Sequence, residues 1–146
     1  TTTASSDVSQ RLGIQPGSLV RHLRRLDMMG DTPISVDDAW VPAALASVIN
    51  DDIAASPLFL YLWQERTGIK AHSTAYELAA EMPDKALQAL LQIGPDTPLL
   101  VVAEVINDTS DRPLHYIITR YCSDRVHLTS SVLIVENGYE RLPGGQ

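Results

Sequence analysis

Residues 91–126 read LQIGPDTPLLVVAEVINDTSDRPLHYIITRYCSDRV: an apolar run, a polar reversal, and a second run that opens on a proline. Residues 99–106 are apolar except at Glu104, the pattern of a strand covered on both faces. Asn107, Asp108, Thr109, Ser110 and Asp111 follow in a row, and such short polar side chains bond their own backbone in turns. Pro113 has no N–H to give a ladder, so it belongs at a strand start. An antiparallel hairpin is the expected unit.

The unit has an earlier echo. Leu12, Ile14, Pro16, Ser18 and Val20 recur in order as Leu91, Ile93, Pro95, Thr97 and Leu99, and Pro33-Ile34 answers Pro113-Leu114. Two similar halves are implied, each running helix end, Pro/Gly turn, strand, polar turn, strand. Arg25 and Glu104 share a slot in the two halves.

With 146 residues, 45% of them hydrophobic and 20% charged, the chain is expected to be one domain, residues 1–146, with a core of its own and a loose tail over 136–146. No apolar run approaches the roughly 20 residues of a membrane span, so no membrane partner is expected and the expected location is cytoplasmic. The single Cys122 excludes an internal disulfide and a cysteine-based metal site. A formal charge of −7 argues against direct grip on nucleic-acid phosphates, which depends on Lys and Arg.

Taken in order, Ser5 or Ser6 caps a short helix carrying Val8 and Leu12 and closed by Gly13. Residues 7–26 invite a helix-turn-helix reading, but Pro16-Gly17 favours a turn, Val20 is apolar where a recognition helix exposes polar groups, and the repeat aligns the segment with a strand. Residues 20–28 and 33–41 then form the first hairpin. A short Ala-rich helix is expected over 43–49 and a solvated turn at Asn50, Asp51 and Asp52. Ser56-Pro57 reads as a helix start, with Ser as cap and Pro at the first helical position, and Gly68 as its end. Residues 69–80 read as a half-buried strand, 83–91 as a helix, and 127–135 as a last strand. The fold class is α+β, one mainly antiparallel sheet of about six strands with helices packed on it.

Five segments in order, RLGIQPGSLV, RRLDMMGDTPISVDDAWVP, SPLFLYLWQERTGI, LLQIGPDTPLL and DRPLHYIITRYCSDRVHL, resemble the UTRA domain, the effector-binding half of GntR-type transcription regulators of the HutC subfamily. The resemblance implies a chorismate-lyase-like sheet, a small-molecule pocket between sheet and helices, and a homodimer. It also implies an upstream winged helix-turn-helix, absent from these residues, through which DNA would be bound.

Carried over position by position, the resemblance implies a ligand-gripping arginine at Arg25, followed by Asp27 where the family often has a second arginine. It puts Asp37 at a family Glu that binds ligand hydroxyl or amide groups, Ser56 at an anion-favouring helix start, His115 at a usual Glu, and Tyr121 at a pocket tyrosine. His115, Ile117, Thr119 and Tyr121 share one strand face by the two-residue period. The expected ligand-binding set is Arg25, Asp27, Asp37, Ser56, His115, Thr119 and Tyr121, reading a carboxylate-bearing metabolite. The bland readings are Arg25 as a mid-strand residue paired with Asp27 or Glu104, Asp37 and Asp38 as solvated sheet-face charges, Ser56 as a mere cap and His115 as a structural residue. Asp124-Arg125 reads as a turn pinning the last two strands.

No catalytic residue, metal or cofactor is expected: no His pair has helical metal-ligand spacing, and no Ser or Cys has a base-and-orienter pattern. The competing reading is a lyase-like enzyme of the related fold acting on a small acid, with His115 moving protons. A purely structural dimerisation module is the third.

Overall fold

The computed structural model describes residues 1–130 and, beyond them, the backbones of two short strands, Val132–Val135 and Gly138–Arg141. Its elements are β1 (Thr2–Thr3), α1 (Ser6–Leu12), β2 (Leu19–Met29), β3 (Thr32–Pro42), a 3-10 turn (Ala43–Leu45), α2 (Asp51–Ala55), α3 (Phe59–Thr67), β4 (Ala71–Glu81), α4 (Lys85–Leu91), β5 (Leu99–Asp108), β6 (Pro113–Cys122), β7 (Val132–Val135) and β8 (Gly138–Arg141). Both expected hairpins form. They meet along β3 and β6 in one antiparallel sheet of order β1-β2-β3-β6-β5-β4, while β7 and β8 pair separately.

The repeat read from the sequence is a repeat of structure. One displacement carries α1 onto α4, the N-cap Ser5 onto Asp84, and the left-handed C-cap Gly13 onto Gln92. It also carries the Thr2–Val20 pairing onto Glu81–Leu99, and the bulge after Asp27 onto the bulge after Ile106. Each cap side chain accepts an orphan helix N–H, Ser5 from Val8 at 3.3 Å and Asp84 from Leu87 at 2.8 Å. Both small helices lie on one face of the sheet. α1 buries Val8 and Leu12 with Val20 and Tyr116, and α4 buries Leu91 with Val36, Leu99 and Cys122.

The opposite face is covered by the insertion that separates the halves. Ile49, Ile53 and Trp63 pack there on Val41 and Leu114. Trp63 Nε1 donates to Leu45 O at 2.9 Å, so the indole is fully buried without an orphan donor.

Several local readings need correction. The Ala-rich helix over 43–49 shrinks to the 3-10 turn Ala43–Leu45. The turn at Asn50–Asp52 is the start of α2, because Asn50 Oδ1 accepts Ile53 N–H at 2.9 Å. Ser56 therefore closes α2 rather than starting α3, and its Oγ accepts Leu58 N–H at 3.0 Å in the short turn between them. Of the last strand expected over 127–135, residues 127–130 are not a strand and Val132–Val135 is; Gly138–Arg141 of the expected loose tail is also a strand, and 131, 136–137 and 142–146 lie outside the described residues. Arg125 donates to the carbonyls of Pro33, Leu91 and Gln92, so it ties the end of α4 to β3 instead of pinning the last strands.

Candidate functional site

Strand register sets the site. Arg25, Asp37 and Thr119 stand side by side on β2, β3 and β6, flanked by the rows Leu23, Ala39, Ile117, Glu104 and Asp27, Ser35, Tyr121. This face looks toward α2 and α3. A cavity of about 230 Å3 separates them, with Arg25, Asp37 and Glu104 as its charged lining and Leu23, Phe59 and Ile117 among its apolar walls. A neighbouring cavity of about 260 Å3 shares Glu104 and adds Tyr76, Thr119 and Tyr121. Each is slightly below the roughly 300 Å3 at which drug-sized sites begin, a scale that suits a small metabolite.

Arg25 is engaged through both terminal nitrogens. Nη2 donates to Asp37 Oδ2 at 2.6 Å, Nη1 donates to the Ser56 carbonyl at 2.9 Å, and Nε stands 2.9 Å from Asp27 Oδ1, too far off line for a hydrogen bond. The bond to Ser56 fastens the α2–α3 corner to the sheet. Asp37 Oδ1 is buried without a hydrogen-bond partner of good geometry. Burial, and then the charge of Asp27, push the Asp37 carboxyl above its ordinary pKa against the pull of Thr119 and Arg25. Asp27 also accepts from Ser35 Oγ at 3.2 Å.

The expected residues thus divide. Arg25 and Asp37 line the first cavity, and Thr119 and Tyr121 the second. Asp27 and Ser56 act one step back, through Arg25. His115 lines neither: it is 0% exposed, edge-on to Trp63 at 4.4 Å and tilted against Phe59 at 5.4 Å. Both its ring nitrogens lack hydrogen-bond partners, and burial lowers its pKa to about 4, so it is a neutral core imidazole at physiological pH. Glu104 is a site residue that the sequence reading does not select, although it is the one acid in the apolar run 99–106 and shares the slot of Arg25.

Asp38 is not a solvated charge. On the other sheet face, 2% exposed, it accepts both Arg24 Nε and Nη2, at 2.8 and 2.9 Å, together with His22 Nε2 at 2.7 Å and Arg120 Nη1 at 3.3 Å. Burial raises its pKa, but bonds and charge from Arg24 and His22 outweigh that and hold it below the usual carboxylate range. Among the described residues no group of three or more His, Cys, Asp or Glu is placed to hold a metal. No helix among them is long and apolar enough to cross a membrane.

The sequence model of the UTRA domain matches residues 1–127. The chain belongs to the UTRA domain family. This UTRA domain is 31% identical over 118 residues to the HTH-type transcriptional regulator GgaR of Escherichia coli K12, covering 81% of the chain and 46% of that protein. It spans about half the length of the curated relatives it matches. Among solved structures it superposes on a GntR-family transcriptional regulator from Enterococcus faecalis V583 with TM-score 0.82 at 20% identity, over 88% of this chain and 92% of that one. The effector domain of PhnF from Mycobacterium smegmatis gives TM-score 0.76 at 23% identity, over 87% and 78%. At these identities the superpositions establish the fold of the UTRA domain.

Proposed function

We propose that this UTRA domain binds a small-molecule effector in a GntR-type, HutC-like transcription regulator. In this reading the whole protein is a cytoplasmic homodimer that touches DNA through a winged helix-turn-helix outside these residues. The observation that carries the reading is Arg25, held between sheet and α2–α3 corner at the wall of a metabolite-sized cavity. A carboxylate on the effector would take Arg25 from Asp37 and Asp27, exchanging one charge-assisted pair for another. The exchange would release the Ser56 carbonyl and let the corner move. Occupancy would then bias two arrangements of the domain, and with them the spacing of the DNA-binding halves.

Two measurements test this. Native mass spectrometry of the purified protein is expected to show a retained small molecule, which Arg25→Gln loses. Operator affinity of the full-length regulator is expected to change when that molecule is added; an unchanged affinity overturns the coupling. The lyase alternative draws no support from His115, which neither reaches a cavity nor accepts a proton near neutral pH. Turnover of the bound molecule would reinstate it.

A further inference from the structure

We infer that the cavity beneath α2 and α3 selects a ligand by a primary ammonium group that binds Asp37 Oδ1, so that an acid group alone is not enough to hold an effector there. The inference rests on the effector-binding reading and specifies the chemistry of its ligand.

The argument is an accounting of donors and acceptors. Arg25 is the one cation among the described residues lining this cavity; both its terminal nitrogens donate within the protein, and its buried Nε, which makes no hydrogen bond, is held 2.9 Å from the Asp27 carboxylate. An incoming anion meets a guanidinium already divided between Asp37, Asp27 and a backbone carbonyl, with Asp37 and Glu104 in the same wall. Like charges a few ångströms apart in a partly desolvated site repel strongly. On the acceptor side, Asp37 Oδ1 is buried and accepts no hydrogen bond of good geometry, although the Thr119 hydroxyl is close enough to lower the carboxyl's pKa. Folded proteins rarely leave such an atom orphaned, because a carboxylate oxygen removed from water has lost its hydration without replacement. A ligand donor restores that bond, and a cationic donor adds a charge-assisted interaction. Leu23, Phe59, Leu60, Ile106 and Ile117 supply apolar contact for a short aliphatic or aromatic body behind the ammonium. An effector that also bears a carboxylate is compatible, provided that the amine is present.

The test uses n-butylammonium, butyrate and inorganic phosphate as probes at equal ionic strength, titrated into the 15N-labelled chain and followed by amide chemical shifts of β2, β3 and β6. Saturable shifts at residues 25, 37 and 117 with n-butylammonium only are expected. Asp37→Asn should weaken that binding by about tenfold or more, the loss of one charge-assisted bond. Ala54→Leu, which fills the cavity from α2 without touching a charge, should abolish it, and covers the case in which Asp37→Asn does not fold. Saturable binding of butyrate or phosphate without n-butylammonium overturns the inference and leaves the effector reading intact. Binding of none of the three overturns it too, while retention of a small molecule by mass spectrometry judges the effector reading separately.

Discussion

The two halves share a backbone and divide the chemistry. α1 and α4 start on side-chain caps and end on left-handed residues, and β2 and β5 bulge at the same place. Yet where the first hairpin carries His22, Arg24, Arg25 and Asp27, the second has Val101, Ala103, Glu104 and Ile106; where the first has Asp37 and Asp38, the second has Ile117 and Ile118. Backbone hydrogen bonds and caps need no particular strand side chains, so one scaffold serves both halves. The first half supplies Arg25 and Asp37, the second supplies Glu104 with Ile106 and Ile117, and the insertion supplies most of the apolar wall through Ala54, Pro57, Phe59 and Leu60.

Leu12 and Leu91 are matched anchors, 2% and 0% exposed. Each Leu→Ala change should cost about 2–5 kcal/mol by chemical denaturation, with similar values for both. A difference beyond about 2 kcal/mol would break the structural equivalence of the halves. Next in size, Asp38→Asn should cost about 3 kcal/mol, the low end for breaking a buried ion pair because Arg24 and His22 are partly solvated. Ile118→Val, in the matching slot, should cost about 1 kcal/mol.

pH separates the same two halves. The Asp38 carboxyl titrates below its unfolded value, so its contribution is full above the ordinary carboxylate range near pH 4 and is lost as pH falls through the folded pKa. His115, in the second half, behaves differently. Its pKa falls from 6.5 to about 4 on burial, so the unfolded chain takes up the proton first, and stability should drop by roughly 3 kcal/mol between those pH values. Replacing it by His115→Phe should flatten that slope, measured as denaturation midpoint against pH. The caps match Ile118→Val in size: Ser5→Ala and Asp84→Ala should each cost about 1 kcal/mol, and unequal losses would show that one helix leans more on its cap.

Much of this was legible before any coordinates. The Pro/Gly punctuation and the period of apolar residues placed both hairpins, and the recurrence of Leu12 to Val20 as Leu91 to Leu99 foretold the repeat. The errors have physical causes. The Ser-Pro pair falls just ahead of a helix, but Ser56 Oγ accepts from Leu58 N–H in the turn and α3 starts at Phe59 without a side-chain cap, while the unexpected helix before it is capped by Asn50. Alternation reports which face of a strand a residue occupies, but not what covers it. Thus His115 was correctly grouped with Thr119 and Tyr121, yet α3 buries the first and leaves the others beside a cavity. The same blindness to depth made Asp38 look solvated. Glu104 stands out as the lone acid of the run 99–106, but only register across β6 puts it in the wall shared by neighbouring cavities.

Asp37 and Asp38 are neighbours on β3 whose carboxylates emerge on opposite sides of the sheet, as Thr119 and Arg120 do on β6. The two arginines and His22 gathered around Asp38 therefore lie one residue along β3 from the Asp37–Arg25 pair. Ligand binding at Asp37 is thus expected to register at Asp38 on the α1 and α4 side of the sheet.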